Sequence, residues 1–341
     1  MTGLVLLTGA SGFIAKHVAA RLLNAGYRVR ATVRTAARAE EVRAALAPHV
    51  AAEALDDRLG FAELDLTDDA GWDAATEGIG ALVHTASPFP LSQPSQADAL
   101  IRPAVDGTLR ALRAARAAGA RRAVLTSSIA AVMHRDLPEG RERYDERDWT
   151  DPAHRRASVY DRSKTLAEQA AWDFVANEAP EMQLTAINPG LVLGPLLDDR
   201  YGSSVSLVQR LLSGKDPMQP KFALPVVDVR DVAEMHLRAL QRPEAAGKRY
   251  IASAKTLSFA EMARVLKAAH PDRRIATREA PTLAMRLVAL FDRDLRTILP
   301  SLDWVPQLSA ARAEGELGMR FTAAEDALRA TADDLIARKL A

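Results

Sequence analysis

A tyrosine and a lysine four residues apart, Tyr160 and Lys164, open a segment patterned as a helix over 158–178. Residues at i and i+4 share one helix face. An ammonium beside a phenol favours the phenolate and lowers a pKa of about 10 in free tyrosine. Such a pair is suited to passing a proton to or from an oxygen. The spacing is common, and a half-buried Tyr beside a surface Lys reads the same way. Upstream, the apolar run Ala123–Thr126 ends in two hydroxyls, Ser127 and Ser128. In a doubly wound sheet the carboxyl ends of the strands face the ligand crevice. Ser128 could there hydrogen-bond the carbonyl oxygen that Tyr160 protonates; ordinary capping of a strand end is the alternative for both serines.

A second group lies at the start of the chain. Leu4–Thr8 reads as a strand, Gly9-Ala10-Ser11-Gly12 as a tight turn, and Phe13-Ile14-Ala15 as the start of a helix. Gly9 can take the backbone angles such a turn needs, and Gly12 lets the chain pass close to a pyrophosphate. Phosphates would sit at the helix N-terminus, where free N–H groups and the helix dipole favour negative charge. The third small position is Ala15 instead of Gly. A glycine motif alone is weak; following an apolar strand at the head of a βαβ pattern gives it its context.

The second strand, ending at Val33-Arg34, speaks to the choice of dinucleotide. NAD sites usually carry an acid about 20 residues past the glycines, on the ribose 2′-hydroxyl. No acid occurs from Asn24 through Ala39; Arg34 stands at the strand end and Arg38 one turn on. Guanidinium groups there would pair with a 2′-phosphate, which favours NADPH. Asp65 and Leu66 follow the third strand, and Asp65 could hydrogen-bond the adenine amine or cap the next segment.

The elements that must hold these groups alternate. Candidate strands are 4–8, 28–33, 60–64, 81–84, 123–126 and 183–188. Amphipathic segments at 13–25, 36–47, 97–118 and 158–178 separate them. This predicts an α/β fold, a doubly wound parallel sheet of the Rossmann type with helices on both faces. After Pro189 strands become sparse and helical patterns dominate. Residues 1–190 are therefore expected to bind the dinucleotide and 191–341 to form a smaller, mostly helical substrate region, with 223–241 returning to the large sheet. The 341 residues suit this division. With net charge +1 and no single-sign block, no nucleic-acid or membrane partner is expected; no apolar run approaches the roughly 18 residues of a membrane span. The absence of cysteine excludes thiolate metal sites and a cysteine nucleophile and agrees with a cytoplasmic setting.

Taken together, Thr8–Ile14, Val83-His84-Thr85-Ala86-Ser87-Pro88, Leu125–Ser128, Tyr160 with Lys164, and Asn188-Pro189-Gly190 resemble the extended short-chain dehydrogenases. The nearest likeness is to the dihydroflavonol reductase, cinnamoyl-CoA reductase and aldehyde (methylglyoxal) reductase group. Asp145-Glu146 with Trp149, Val227–Ala233, and Ala327-Leu328 with Thr331-Ala332 extend the likeness over nearly the whole chain. The resemblance implies an NADP(H)-dependent reductase of a small aldehyde or ketone. Tyr160 is implied as general acid, with Lys164 on the nicotinamide ribose and Ser128 on the substrate carbonyl. Gly9, Ser11, Gly12, Phe13 and Ile14 would cradle the phosphates, with Arg34 and Arg38 on the 2′-phosphate. Thr85, Ala86, Ser87 and Ser127 would pass beside the cofactor, and Pro189 and Leu191 would flank the nicotinamide. It also implies a monomer or a homodimer through helices 97–118 and 157–178.

Two rival readings use the same scaffold or ligand: an NAD(P)-dependent epimerase/dehydratase or 3β-hydroxysteroid-type dehydrogenase, and a non-catalytic NADPH-sensing protein. Arg34 argues against the first, and retention of Tyr160, Lys164 and Ser128 against the second. His84, His134 and His236 lack metal-ligand spacing, and no metal is expected. Asp228 and Asp231 read as a helix cap. Leu283, Leu287, Leu290 and Phe291 have core spacing. Segments 89–102 and 133–157 are candidate active-site loops.

Overall fold

The computed structural model describes residues 3–87, 98–290, 296 and 299–341. The first half runs β1 (Leu4–Thr8), α1 (Phe13–Asn24), β2 (Arg28–Val33), α2 (Ala36–Leu46), α3 (Ala52–Arg58), β3 (Leu59–Glu63), α4 (Trp72–Thr76), β4 (Ala81–His84), α5 (Asp98–Ala117), β5 (Arg122–Thr126), α6 (Val159–Asn177) and β6 (Gln183–Pro189). Then follow β7 (Leu191–Leu193), α7 (Ser203–Leu212), β8 (Ala223–Asp228), α8 (Val229–Gln241), β9 (Lys248–Ala252), β10 (Lys255–Ser258), α9 (Phe259–Ala269), α10 (Thr282–Val288), α11 (Ala311–Glu316) and α12 (Ala324–Ala337).

Seven strands form one parallel sheet in the order β3-β2-β1-β4-β5-β6-β9. The strand order reverses between β1 and β4, the switch point at which open α/β sheets leave a crevice. The inner strands are mostly apolar because helices cover both faces. On one face Val18, Leu22, Val232 and Met235 of α1 and α8 pack on Val5, Leu7 and Val124. On the other, α5 presents Ala111, Leu112 and Ala115, and α6 presents Ala171 and Phe174, to Leu6, Leu82 and Leu125. α5 and α6 lie side by side.

A second sheet, β10-β8-β7, packs with α7, α9 and α12 around Leu193, Val208, Leu266 and Leu328. This corrects the expected return of 223–228 to the large sheet. β8 pairs parallel with β7 and antiparallel with β10, whereas α8 packs on α1. The strand that does join the large sheet is β9, beside β6. Its charged start, Lys248-Arg249, hides it in the sequence, because Arg249 is buried for a reason that lies elsewhere in the fold. Leu283, Leu287 and Leu290 are exposed on and beside α10, not core; Pro88, Phe291 and the 89–97 part of the first candidate loop lie outside the described residues. No helix among the described residues is long and apolar enough to cross a membrane.

Candidate active site

The glycine turn sits at the switch point and is laced to the strand beside it. Gly9 has φ +71°, and a Cβ there would fall 2.8 Å from the Ala86 Cα, so only glycine fits. The Thr8 hydroxyl accepts from the Ala86 N–H at 3.2 Å, and the Thr85 hydroxyl donates to the Thr8 carbonyl at 2.6 Å. Gly12 caps α1 with no side-chain hydrogen bond, and the first turn holds no acid. Its N–H groups and positive dipole end are left for an anion. Gly9, Ser11 and Gly12 face a cleft of about 390 Å³ with Leu66, Thr85, Ala86 and Ser87, and with Arg34 and Arg38.

Both arginines meet acids. Arg34 lies 3.9 Å from Asp65, and both side chains are largely exposed. Asp65 accepts from the Thr67 N–H and hydroxyl at 2.8 and 2.7 Å; it closes a turn and does not cap the next helix, α4, whose N-cap is Gly71, nor does it line the cleft. Arg38 donates to Glu41 at 2.7 Å, and Arg200, from the segment after β7, reaches the same carboxylate at 2.7 Å. Arg200 lines the cleft too. Nothing in its sequence surroundings pointed there, since the contact depends on how 194–202 crosses α1.

A second cleft, about 340 Å³, shares Gly9, Ser11, Gly12, Thr85 and Ser87 with the first. It adds Phe13, Ile14, Ser127, Ser128, Tyr160, Lys164 and Pro189. Tyr160 stands in the first turn of α6, whose start is fixed by a capping box between Ser158 and Asp161. Its hydroxyl is hydrogen-bonded to Ser128, yet burial pushes its pKa up to about 12. The lowering expected from Lys164 is therefore overturned: desolvation of the phenolate outweighs the favourable contacts. Burial pushes the Lys164 ammonium down to about 8, opposed by the Glu168 carboxylate.

Glu168 is a second residue that sequence reasoning missed, although it continues the Tyr160–Lys164 face at i+8. It is fully buried and accepts from the Ser127 hydroxyl at 2.6 Å, Asn188 Nδ2 at 2.7 Å and Arg249 Nε at 2.6 Å. Asn188 Nδ2 also donates to the Ser128 carbonyl at 3.1 Å. The Ser127 hydroxyl is thus turned to Glu168, while Ser128 caps the 3₁₀ turn at Ile129–Ala131 by accepting from Ala130 N–H. Arg249 stacks 3.7 Å from the Trp149 ring centroid, which gives the Asp145–Trp149 segment a structural duty.

A third cavity, about 440 Å³, opens on the far side of Tyr160 and Ser128, with Leu191 in its wall. The 133–157 segment supplies Met133, His134 and Arg156; the C-terminal half supplies Phe222, Leu224 and Trp304. His134 Nε2 faces Asp161 Oδ1 at 3.3 Å. His84 and His236 instead hydrogen-bond Thr8 and Thr126 and are held neutral by burial, at about 3 and about 4. Asp228 caps α8, and Asp231 accepts from the Thr322 N–H.

Comparison with known proteins follows the same lines. The model for the NAD dependent epimerase/dehydratase family matches residues 5–252. Cinnamoyl-CoA reductase CAD2 of Medicago truncatula is 31% identical over 99% of this chain and 97% of its own length. Tetraketide alpha-pyrone reductase 1 of Arabidopsis thaliana is 37% identical over 79% of this chain and 82% of its own. Among solved structures, yeast methylglyoxal/isovaleraldehyde reductase Gre2 complexed with NADPH superposes with a TM-score of 0.80. It is 26% identical, covering 98% of this chain and 99% of that one.

Proposed function

The chain belongs to the NAD dependent epimerase/dehydratase family, within the extended short-chain dehydrogenases, and on that premise we propose that it is an NADPH-dependent reductase of a small aldehyde or ketone. The observation that carries the reading is the Tyr160 hydroxyl, hydrogen-bonded to Ser128 on the wall shared by two clefts, with Lys164 one helical turn on.

The residues present fit a dinucleotide. The Gly9 turn and uncapped α1 N-terminus offer a phosphate cradle, and Arg34 and Arg38 offer guanidinium groups at the end of β2. Support for the 2′-phosphate also comes from the structural relative Gre2, which is complexed with NADPH. A bound nicotinamide would supply hydride to the carbonyl carbon. Ser128 then orients the carbonyl oxygen through its hydroxyl. Tyr160 holds its proton at neutral pH, because its pKa is pushed to about 12, and gives it to the developing alkoxide as general acid. Lys164, charged below about 8, would stabilise the phenolate that forms and could donate to ribose hydroxyls of a bound dinucleotide. Thr85, Ala86, Ser87, Phe13, Ile14 and Pro189 would wall the cofactor, and Leu191 would stand on the substrate side of the reacting end. Residues 1–190 would supply most of the cofactor side, joined by Arg200, and would share the substrate wall with 191–341.

An epimerase or steroid dehydrogenase would use the same Tyr and Lys, but Arg34 and Arg38 favour a phosphorylated ribose over the tightly held NAD of sugar-nucleotide enzymes. The test is NADPH oxidation with a panel of aldehydes, α-ketoaldehydes and β-ketoesters, with NADH in parallel. Tyr160→Phe should lower kcat by about 10²–10⁴-fold while NADPH still binds in a fluorescence titration. Near-normal turnover by that variant would refute the assignment.

A further inference from the structure

The cavity beyond Tyr160 is mostly apolar, with Met133, Phe222, Leu224 and Trp304 in its walls, and it holds one carboxylate and one guanidinium. The carboxylate, Asp161, is spent. Its Oδ2 accepts from the Ser158 N–H at 2.7 Å and hydroxyl at 2.5 Å, and its Oδ1 faces His134. The guanidinium, Arg156, is held differently. It lies 4.8 Å above the Trp304 ring centroid, and its Nε donates to the Pro300 carbonyl at 3.2 Å. No carboxylate among the described residues comes within ion-pairing distance of it. The ring and the carbonyl orient the fork, and its two terminal nitrogens have no partner among the described residues.

We propose that Arg156 is a specificity residue that recognises a carboxylate on the carbonyl substrate, so that the preferred substrates are oxo acids. This rests on the reading of the cavity as the substrate site. A planar fork presents two parallel N–H donors that match a carboxylate. Stacking on Trp304 and the bond to the Pro300 carbonyl have already restricted the side chain, so little further ordering is needed on binding. Asp161 is engaged by Ser158 and His134, so Arg156 is the charged group of this lining left to pair with an entering carboxylate. The carbonyl end of the same molecule would meet Ser128 and Tyr160, which line the same cavity.

The experiment compares an aliphatic ω-oxo acid with its methyl ester, which carry the same aldehyde, by steady-state kinetics with NADPH. Wild type should favour the acid in kcat/KM by about 10–100-fold, the range of a hydrogen-bonded charged contact. In Arg156→Gln the acid-to-ester ratio should collapse towards one, chiefly through KM for the acid, and Arg156→Lys should restore part of it. The ratio within one variant is insensitive to a general loss of folded enzyme. Equal use of acid and ester by wild type, or an unaltered ratio in Arg156→Gln, overturns the inference alone. Wild type that oxidises NADPH with no carbonyl compound overturns the reading beneath it and this inference with it.

Discussion

Lys164 carries a pKa near 8 because burial disfavours its ammonium more than Glu168 supports it. Tyr160, pushed to about 12, stays protonated over the working range. The group that titrates near neutrality is therefore the lysine, and the expected kcat for carbonyl reduction falls as pH rises through about 8. Lys164→Arg, which keeps its charge, should show a lower rate without that limb. The stability effect has the opposite sense. The folded pKa lies below the unfolded value of 10.5, so between about 8 and 10.5 the unfolded chain binds more protons and stability rises with pH. Below 8 the cost is fully present. Lys164→Met should thus lose activity without a lower Tm at pH 7; an unshifted pH profile in the arginine variant would reassign the limb.

The element that sets the site is α6, and what holds it against β5, β6 and β9 is the Glu168 cluster. Glu168 joins Ser127 of the β5 end, Asn188 of β6 and Arg249 of β9. Arg249 also donates to the carbonyls of Ala131, Glu146 and Asp148. Burying such a pair is near neutral, but removing one member leaves a charge without its counter-ion. Glu168→Gln is expected to cost about 3–5 kcal/mol in urea unfolding. A loss below about 1 kcal/mol would mean that the three carbonyls alone suffice for the Arg249 charge. Periodicity revealed α6 and its Tyr–Lys face, yet gave no hint of this cluster, because three of its members come from strands far apart in sequence.

Across the whole molecule, α1 is the seam between the cofactor side and the C-terminal half. Lys16, almost completely buried, pairs with Asp198 and donates to the Arg200 carbonyl at 3.0 Å. The His17 ring is hydrogen-bonded to the Pro195 carbonyl, and Arg21 pairs with Glu234 of α8. Asp198→Asn strands the Lys16 charge in the interior and should cost about 3 kcal/mol. Lys16→Met should cost less, since the Asp198 side chain is 22% exposed and can rehydrate. The double variant should be more stable than Asp198→Asn alone; if the two single losses simply add, the pair is not coupled.

Local pattern was enough for much of this protein. The first six strands and the helices α1, α2, α5 and α6 were legible because a buried parallel sheet demands apolar runs and covering helices demand a 3.6-residue period; the short α3 and α4 were not. Gly9, Gly12, Tyr160 and Lys164 were legible because their spacing lies within one turn or one helix. The exposed leucines of α10, the pairing of β8 away from the large sheet, and the entry of β9 beside β6 were decided by tertiary contacts. So were the desolvation that raises Tyr160, the meeting of Arg38 and Arg200 on Glu41, and the cavity that gathers Arg156, Trp304 and Phe222. Each of these depends on which distant segments exclude water from one another, and that information is not carried by any short stretch of chain.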